Sequence, residues 1–130
     1  MANPTITQNE NVSLVLENRG YPPVEMTIIT GQGTLSKGSV LGVITASGKL
    51  KLVDDDNSDG SEDPKYVLLK EVDTSSSDVT AQREILAAGI VNANQLVFGG
   101  DDEIGDHHTA LKNNGIVAVD ADHLGGYDNT

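Results

Sequence analysis

Apolar residues in this chain come in short runs, and nearly every run is closed by residues that turn the backbone. VSLVL (12–16), VEMTI (24–28), SVLGVIT (39–45), KLKLV (49–53), YVLLKEV (66–72) and IVAVD (116–120) are separated by Gly, Pro, Asn, Asp and Ser. Alternating or continuous apolar runs of this length, bounded by such residues, are the mark of strands. SVLGVIT, the turn at ASG and KLKLV stand in the order expected of a β-hairpin. The reading is therefore a mainly β chain: a compact single-domain β body with one or two short helices and an extended N-terminal arm. Residues 1–34, broken by Gly20, Pro22, Pro23, Gly31 and Gly33, form the arm. Residues 35–120 form the body and 121–130 a flexible tail. No repeat at solenoid spacing is present.

Helix is predicted sparingly. Asn92 is a cap candidate for one short turn, and TALKNN (109–114) reads as a short helix closed by Gly115, with Asp106 a candidate cap at its start. VTAQREILAAG (79–89) is ambiguous. Ala, Gln, Arg, Glu and Leu favour helix, but the segment is short and its apolar residues form no clean stripe. Pattern alone leaves it open.

Charge narrows the partners. With 20 acidic and 8 basic residues the net charge is -12, which opposes binding to nucleic acid and to anionic membranes. The N-terminal residues show no basic and apolar leader, and no window reaches the ~20 apolar residues of a membrane span. A soluble protein made in the cytoplasm is expected. The absence of Cys excludes disulfides, thiolate zinc sites and a cysteine nucleophile. Aromatic residues make up 3%, with Phe98 beside Tyr21, Tyr66 and Tyr127, so the core is light and assembly is expected to supply part of the stability.

DDDNSDGSEDP (54–64) raises the question of a metal. Asp55, Asn57, Asp59 and Gly60 match the opening of an EF-hand loop, but the twelfth position is Tyr66 instead of a bidentate Glu, Pro64 intrudes, and the flanks read as strands. The same residues build turns. A solvated acidic turn is expected, with no metal and no cofactor. His107, His108 and His123, with Asp106, Asp120 and Asp122, offer imidazoles and carboxylates, yet neighbouring side chains diverge and His107 and His108 are poorly placed to share an ion. No nucleophile elbow, phosphate loop or H-E-x-x-H occurs, and an enzyme is not expected.

KGSVLGVIT, KLKLV, NSDGSEDP, YVLLKEVDTSSSDVT, AAGIVNANQLVF and ALKNNGIVAV, taken in order from Lys37 to Val119, resemble the head decoration proteins of tailed phages, the family typified by the lambda capsid-stabilising protein. The resemblance implies a mainly β body, a homotrimer, and binding to the major capsid protein on the outer surface of the virion at three-fold and quasi-three-fold positions. It also implies an extended conformation for 79–89. It carries no site residues over. The capsid-binding candidates come from the arm instead: Val12, Leu14 and Leu16, or Val24, Met26 and Ile28, suited to pairing with a partner's sheet edge. For 24–28, membership of the body as an ordinary edge strand is an equal reading. A β-rich calcium-binding module and an acidic mimic of DNA are the alternatives; the second fits poorly, because the acids cluster in loops.

Overall fold

The computed structural model describes residues 14–120. Val12, His123 and the tail 121–130 lie outside the described residues. Within them the chain runs β1 (Val15–Gly20), β2 (Met26–Ile28), β3 (Thr34–Leu35), β4 (Val40–Val43), β5 (Leu50–Leu52), β6 (Tyr66–Leu68), β7 (Val72–Asp73), β8 (Val79–Ala81), β9 (Ile85–Leu86) and β10 (Ala88–Asn92). A 3-10 turn (Ala93–Gln95), helix α1 (Ile104–Asn113) and β11 (Ile116–Val119) follow. The fold is mainly β, as expected.

Three sheets organise the body. The six-stranded sheet has the order β8-β2-β5-β4-β6-β9, the three-stranded sheet β1-β10-β11, and β3 pairs with β7. The predicted hairpin is present: β4 and β5 are antiparallel with Leu41 opposite Leu52 and Val43 opposite Leu50. Its turn closes through the Gly48 N–H on the Ile44 carbonyl at 2.7 Å, with Gly48 at φ +76°. β10 and β11 are parallel, so the chain must cross over between them, and the 3-10 turn and α1 make that crossing.

The paired aliphatics of the sequence explain why one sheet separates two cores. Successive side chains on a strand point to opposite faces. In Val40-Leu41, Val67-Leu68 and Ile85-Leu86, accordingly, one residue enters each core. Val40, Val67 and Leu86 join Leu14, Val53, Val91, Leu111, Ile116 and Ala118 on the α1 side. Leu41, Leu68 and Ile85 join Ile28, Leu35, Leu50 and Ala81 on the other. Full burial of each large aliphatic contributes about 1.5–3 kcal/mol, so a sheet covered on both faces offsets the scarcity of aromatic residues.

Several boundaries differ from expectation. Of the run VSLVL, Leu14 lies ahead of β1 while Val15 and Leu16 open it; the strand continues through the polar ENRG, and the side chains from Leu16 to Arg19 are exposed at the edge of its sheet. Residues 14–34, read as part of the arm with body membership an equal reading for 24–28, supply β1, β2 and the start of β3. β1 pairs with β10, and β2 with both β5 and β8. YVLLKEV divides at Lys70 into β6 and β7, which belong to different sheets. Segment 79–89 is extended, as the resemblance implied. Its strands reach β2, β6 and β1, and these pairings put Ala81, Ile85 and Leu86 into the cores in a way that one helix face cannot. Asn92 caps the 3-10 turn by accepting the Asn94 N–H at 3.1 Å. Helix α1 starts at Ile104 instead of Thr109. Asp106 is its third residue, where its carboxylate accepts the Glu103 N–H at 2.8 Å, and the cap position itself is Glu103. Gly115, at φ +97°, ends the helix as predicted.

Candidate functional site

The acidic loop is a self-closed turn. The Asp59 carboxylate accepts the Ser61 N–H at 3.0 Å and the Ser61 hydroxyl at 2.5 Å, and these bonds, with Lys51 nearby, hold Asp59 below the ordinary carboxylate range. The Asn57 amide donates to the Leu52 carbonyl at 3.3 Å and to Ser61 Oγ at 2.9 Å. Two of the four positions that match an EF-hand opening are thus engaged within the loop. Gly60 sits at φ +105°, where a Cβ would strike Thr45 and the Val43 carbonyl. Gly42 has no room for a Cβ either, because the carbonyls of Ser61 and Asp63 rest on it. Both glycines let the loop fold back over the β4–β5 hairpin, and Asn114, just past α1, fastens its exit by donating to the Pro64 carbonyl at 2.6 Å.

The second acidic loop meets the first at Asp102. Its carboxylate accepts the Asp55 N–H at 2.8 Å and lies 2.6 Å from Nε2 of His107, both side chains of the Asp–His pair being buried. The His107 ring stacks on Phe98 with centroids 4.9 Å apart. His108 diverges, its Nε2 lying 3.2 Å from the Ala118 carbonyl, so the two imidazoles serve different neighbours. Sequence reasoning paired His107 with Asp106 by adjacency and missed Asp102. The available signal was the position of Asp102 just ahead of α1, which becomes visible only once the helix start is moved back to Ile104.

The arm candidates divide sharply. Leu14 is 1% exposed and Ile28 0%, each packed in one of the two cores, and Met26 is half-buried. Leu16 is 43% exposed and Val24 61%. Tyr21, which the sequence reading did not single out for contact, is 41% exposed between them, with the Arg83 guanidinium 5.6 Å above its ring. Gly20 and the Pro22-Pro23 pair that flank Tyr21 were the signal available, since they interrupt regular structure and leave a large aromatic side chain in a loop.

A surface depression of about 270 Å³ lies between β7 and β8. Its acids, Glu71, Asp73 and Glu84, share one open surface with Lys70. A general acid and base need contrasting surroundings, which this depression does not supply. Among the described residues no helix is long and apolar enough to cross a membrane.

Comparison with known proteins bears on the chain as a whole. A search among curated proteins gave no match. The family model described as bacteriophage lambda head decoration protein D matches residues 5–119, which takes in every described element and reaches upstream into the arm. That span covers well over half of the sequence, and the chain belongs to the bacteriophage lambda head decoration protein D family.

Proposed function

We propose that the protein binds the outer surface of the mature phage head as homotrimers at three-fold and quasi-three-fold positions, contacts the major capsid protein there, and stabilises the shell. The coarser role, decoration of a phage capsid by a structural protein, follows from family membership. The observation that carries the finer reading is the continuity of the family match from residue 5 through β11. In this reading the attachment segment is the chain upstream of Leu14, including Val12, together with the exposed Leu16 and Val24. Leu14 and Ile28 anchor the segment to the body by their burial. An extended arm suits addition to a partner's sheet edge, where main-chain bonds give affinity and alternate side chains give specificity. Three arms on one trimer gain an effective-concentration advantage of roughly a hundredfold or more over one arm.

The test is truncation of residues 1–13, which stops short of the buried Leu14. Light scattering should report a trimer for both forms, with nearly equal melting temperatures, and the truncated form should no longer co-sediment with mature capsids. Undiminished co-sedimentation would remove the arm from the mechanism. A monomer on the assembled particle would remove the trimer.

A further inference from the structure

Asp102 sits where three segments meet. Its side chain is 3% exposed, and its Oδ2 contacts both the Asp55 N–H of the acidic loop and Nε2 of His107 in α1. His107, 5% exposed, is held in place by stacking on Phe98. Further carboxyls crowd this contact. Oxygens of Asp55, Asp102 and Asp106 lie within 4.8 Å of one another. Asp56 follows Asp55 on the same loop, and the Asp54 carboxylate lies against Gly99 and Gly100. The charged groups facing the contact are therefore Asp54, Asp55 and Asp56 from the acidic loop, and Asp106 and His107 from α1. Of these, His107 alone can carry a positive charge.

We propose that the Asp55–Asp102–His107 contact is an acid-tightened latch fastening the acidic loop to the first turn of α1. With Asp55 ionised, its backbone N–H holds the loop to Asp102 while the carboxylates of Asp55, Asp102 and Asp106 repel one another. A proton taken from solvent by the Asp55 carboxylate removes one negative charge from the cluster and creates an O–H that donates to Asp102. Asp102 keeps its own charge, and with it the bond to His107. The second tie is thus added exactly where the repulsion was, without any rearrangement of the buried pair.

The directions of titration agree with this geometry. The Asp55 carboxyl is pushed above its ordinary range, first by its hydrogen bond with Asp102, then by desolvation and by repulsion from Asp102, Asp56 and Asp106. For Asp102, burial pushes upward, but the bonds from His107 and from Asp55 outweigh it and the net direction is down. The folded protein thus holds the Asp55 proton more tightly than the unfolded chain does. That contribution is lost as pH rises through the raised value and is gained as pH falls through it. Asp102 has the opposite sign: its contribution is present above the ordinary carboxylate value and is lost as pH falls through its lowered one. The latch is tightest in the mildly acidic interval between the two, around the ordinary Asp value of about 4.

Amide hydrogen exchange at Asp55 and at residues 103–107 tests this, with rates divided by those of an unstructured chain at each pH. Protection should rise several-fold as pH falls from 7 to the ordinary Asp value of about 4 and fall again at still lower pH, following the two carboxyls. Asp55→Asn supplies a neutral donor at every pH, so this variant should show the raised protection already at pH 7 and no further gain on acidification. A flat wild-type profile between those pH values would overturn the proposal. An acid response in Asp55→Asn equal to that of the wild type would do so as well.

Discussion

Thr74 carries more of the fold than its place in the run DTSSSD suggests. It is fully buried, its hydroxyl donates to the Gly33 carbonyl at 2.8 Å and accepts the Gln32 N–H at 2.9 Å, and its carbonyl accepts from Gly31 N–H and Thr30 Oγ1. The segment between β2 and β3 is thereby tied to the end of β7. Thr74→Val keeps the shape and removes the hydroxyl, leaving the Gln32 N–H without that acceptor. The expected loss is about 1–3 kcal/mol in chemical denaturation, the cost of an unsatisfied donor, whereas Ser76→Ala, at an exposed position of the same run, should change stability by less than about 0.5 kcal/mol. Nothing in the sequence separates Thr74 from its polar neighbours, because its burial is decided by residues some forty positions upstream. Asp102 was hidden for the same reason: Asp101, Asp102 and Glu103 look alike until the fold buries one carboxylate against His107. Gly60 was legible, since a turn of Asn, Ser and Asp calls for a positive φ and the structure supplies +105°.

Strands were easier to read than the helix, for a physical reason. A turn residue interrupts a strand wherever it falls, so Gly, Pro, Asn and Asp mark strand ends directly, and the β4–β5 hairpin came out in its observed pairing order. The first turn of α1 is written in the same alphabet. Gly105 and Asp106 resemble loop, yet an acid in a first turn is what the exposed N–H groups and the helix dipole favour. Segment 79–89 is a different case: pattern alone leaves it open, the resemblance implies an extended chain, and sheet pairing prevails over the helix-favouring composition. The acidic loop lies between these cases. Its residues were read as a turn, and Asn57 and Asp59 close it through Leu52 and Ser61. Chelation with EDTA should therefore leave the melting temperature unchanged within error. A fall of several degrees would reverse that reading, because an ion bound to the folded state stabilises it by mass action. Replacing Gly42 with Ala should matter far more, since the new methyl meets the backbone carbonyls of Ser61 and Asp63. Displacing that loop should cost about 1–3 kcal/mol, measured by denaturant unfolding.

At the scale of the whole molecule, the two cores absorb most of the large aliphatics among the described residues, and those left exposed are Leu16, Val24 and Val97. Leu16 and Val24 remain exposed at 43% and 61%, on either side of the exposed Tyr21, in a chain whose net charge of -12 works against indiscriminate sticking. Isolated exposed aliphatics are common, so their exposure alone decides nothing. What distinguishes these two is their place within the proposed attachment segment, on a stretch whose buried members, Leu14 and Ile28, hold it to the body. If Leu16 and Val24 meet the capsid, charging them should separate binding from folding. Leu16→Asp with Val24→Asp should leave stability within about 1 kcal/mol of the parent, as expected for two exposed substitutions. The same pair removes two apolar contacts per subunit and, at roughly 1.4 kcal/mol for each tenfold in affinity, should weaken capsid binding by well over tenfold. Binding curves to mature heads, read by co-sedimentation, check the second expectation, and thermal melting checks the first. Equal binding by the charged variant would confine the attachment to residues upstream of Leu14, while a large loss of melting temperature would show that the body needs these side chains for its own packing. The truncation of residues 1–13 then distinguishes the two contributions, because it removes the arm and keeps both Leu16 and Val24 in place.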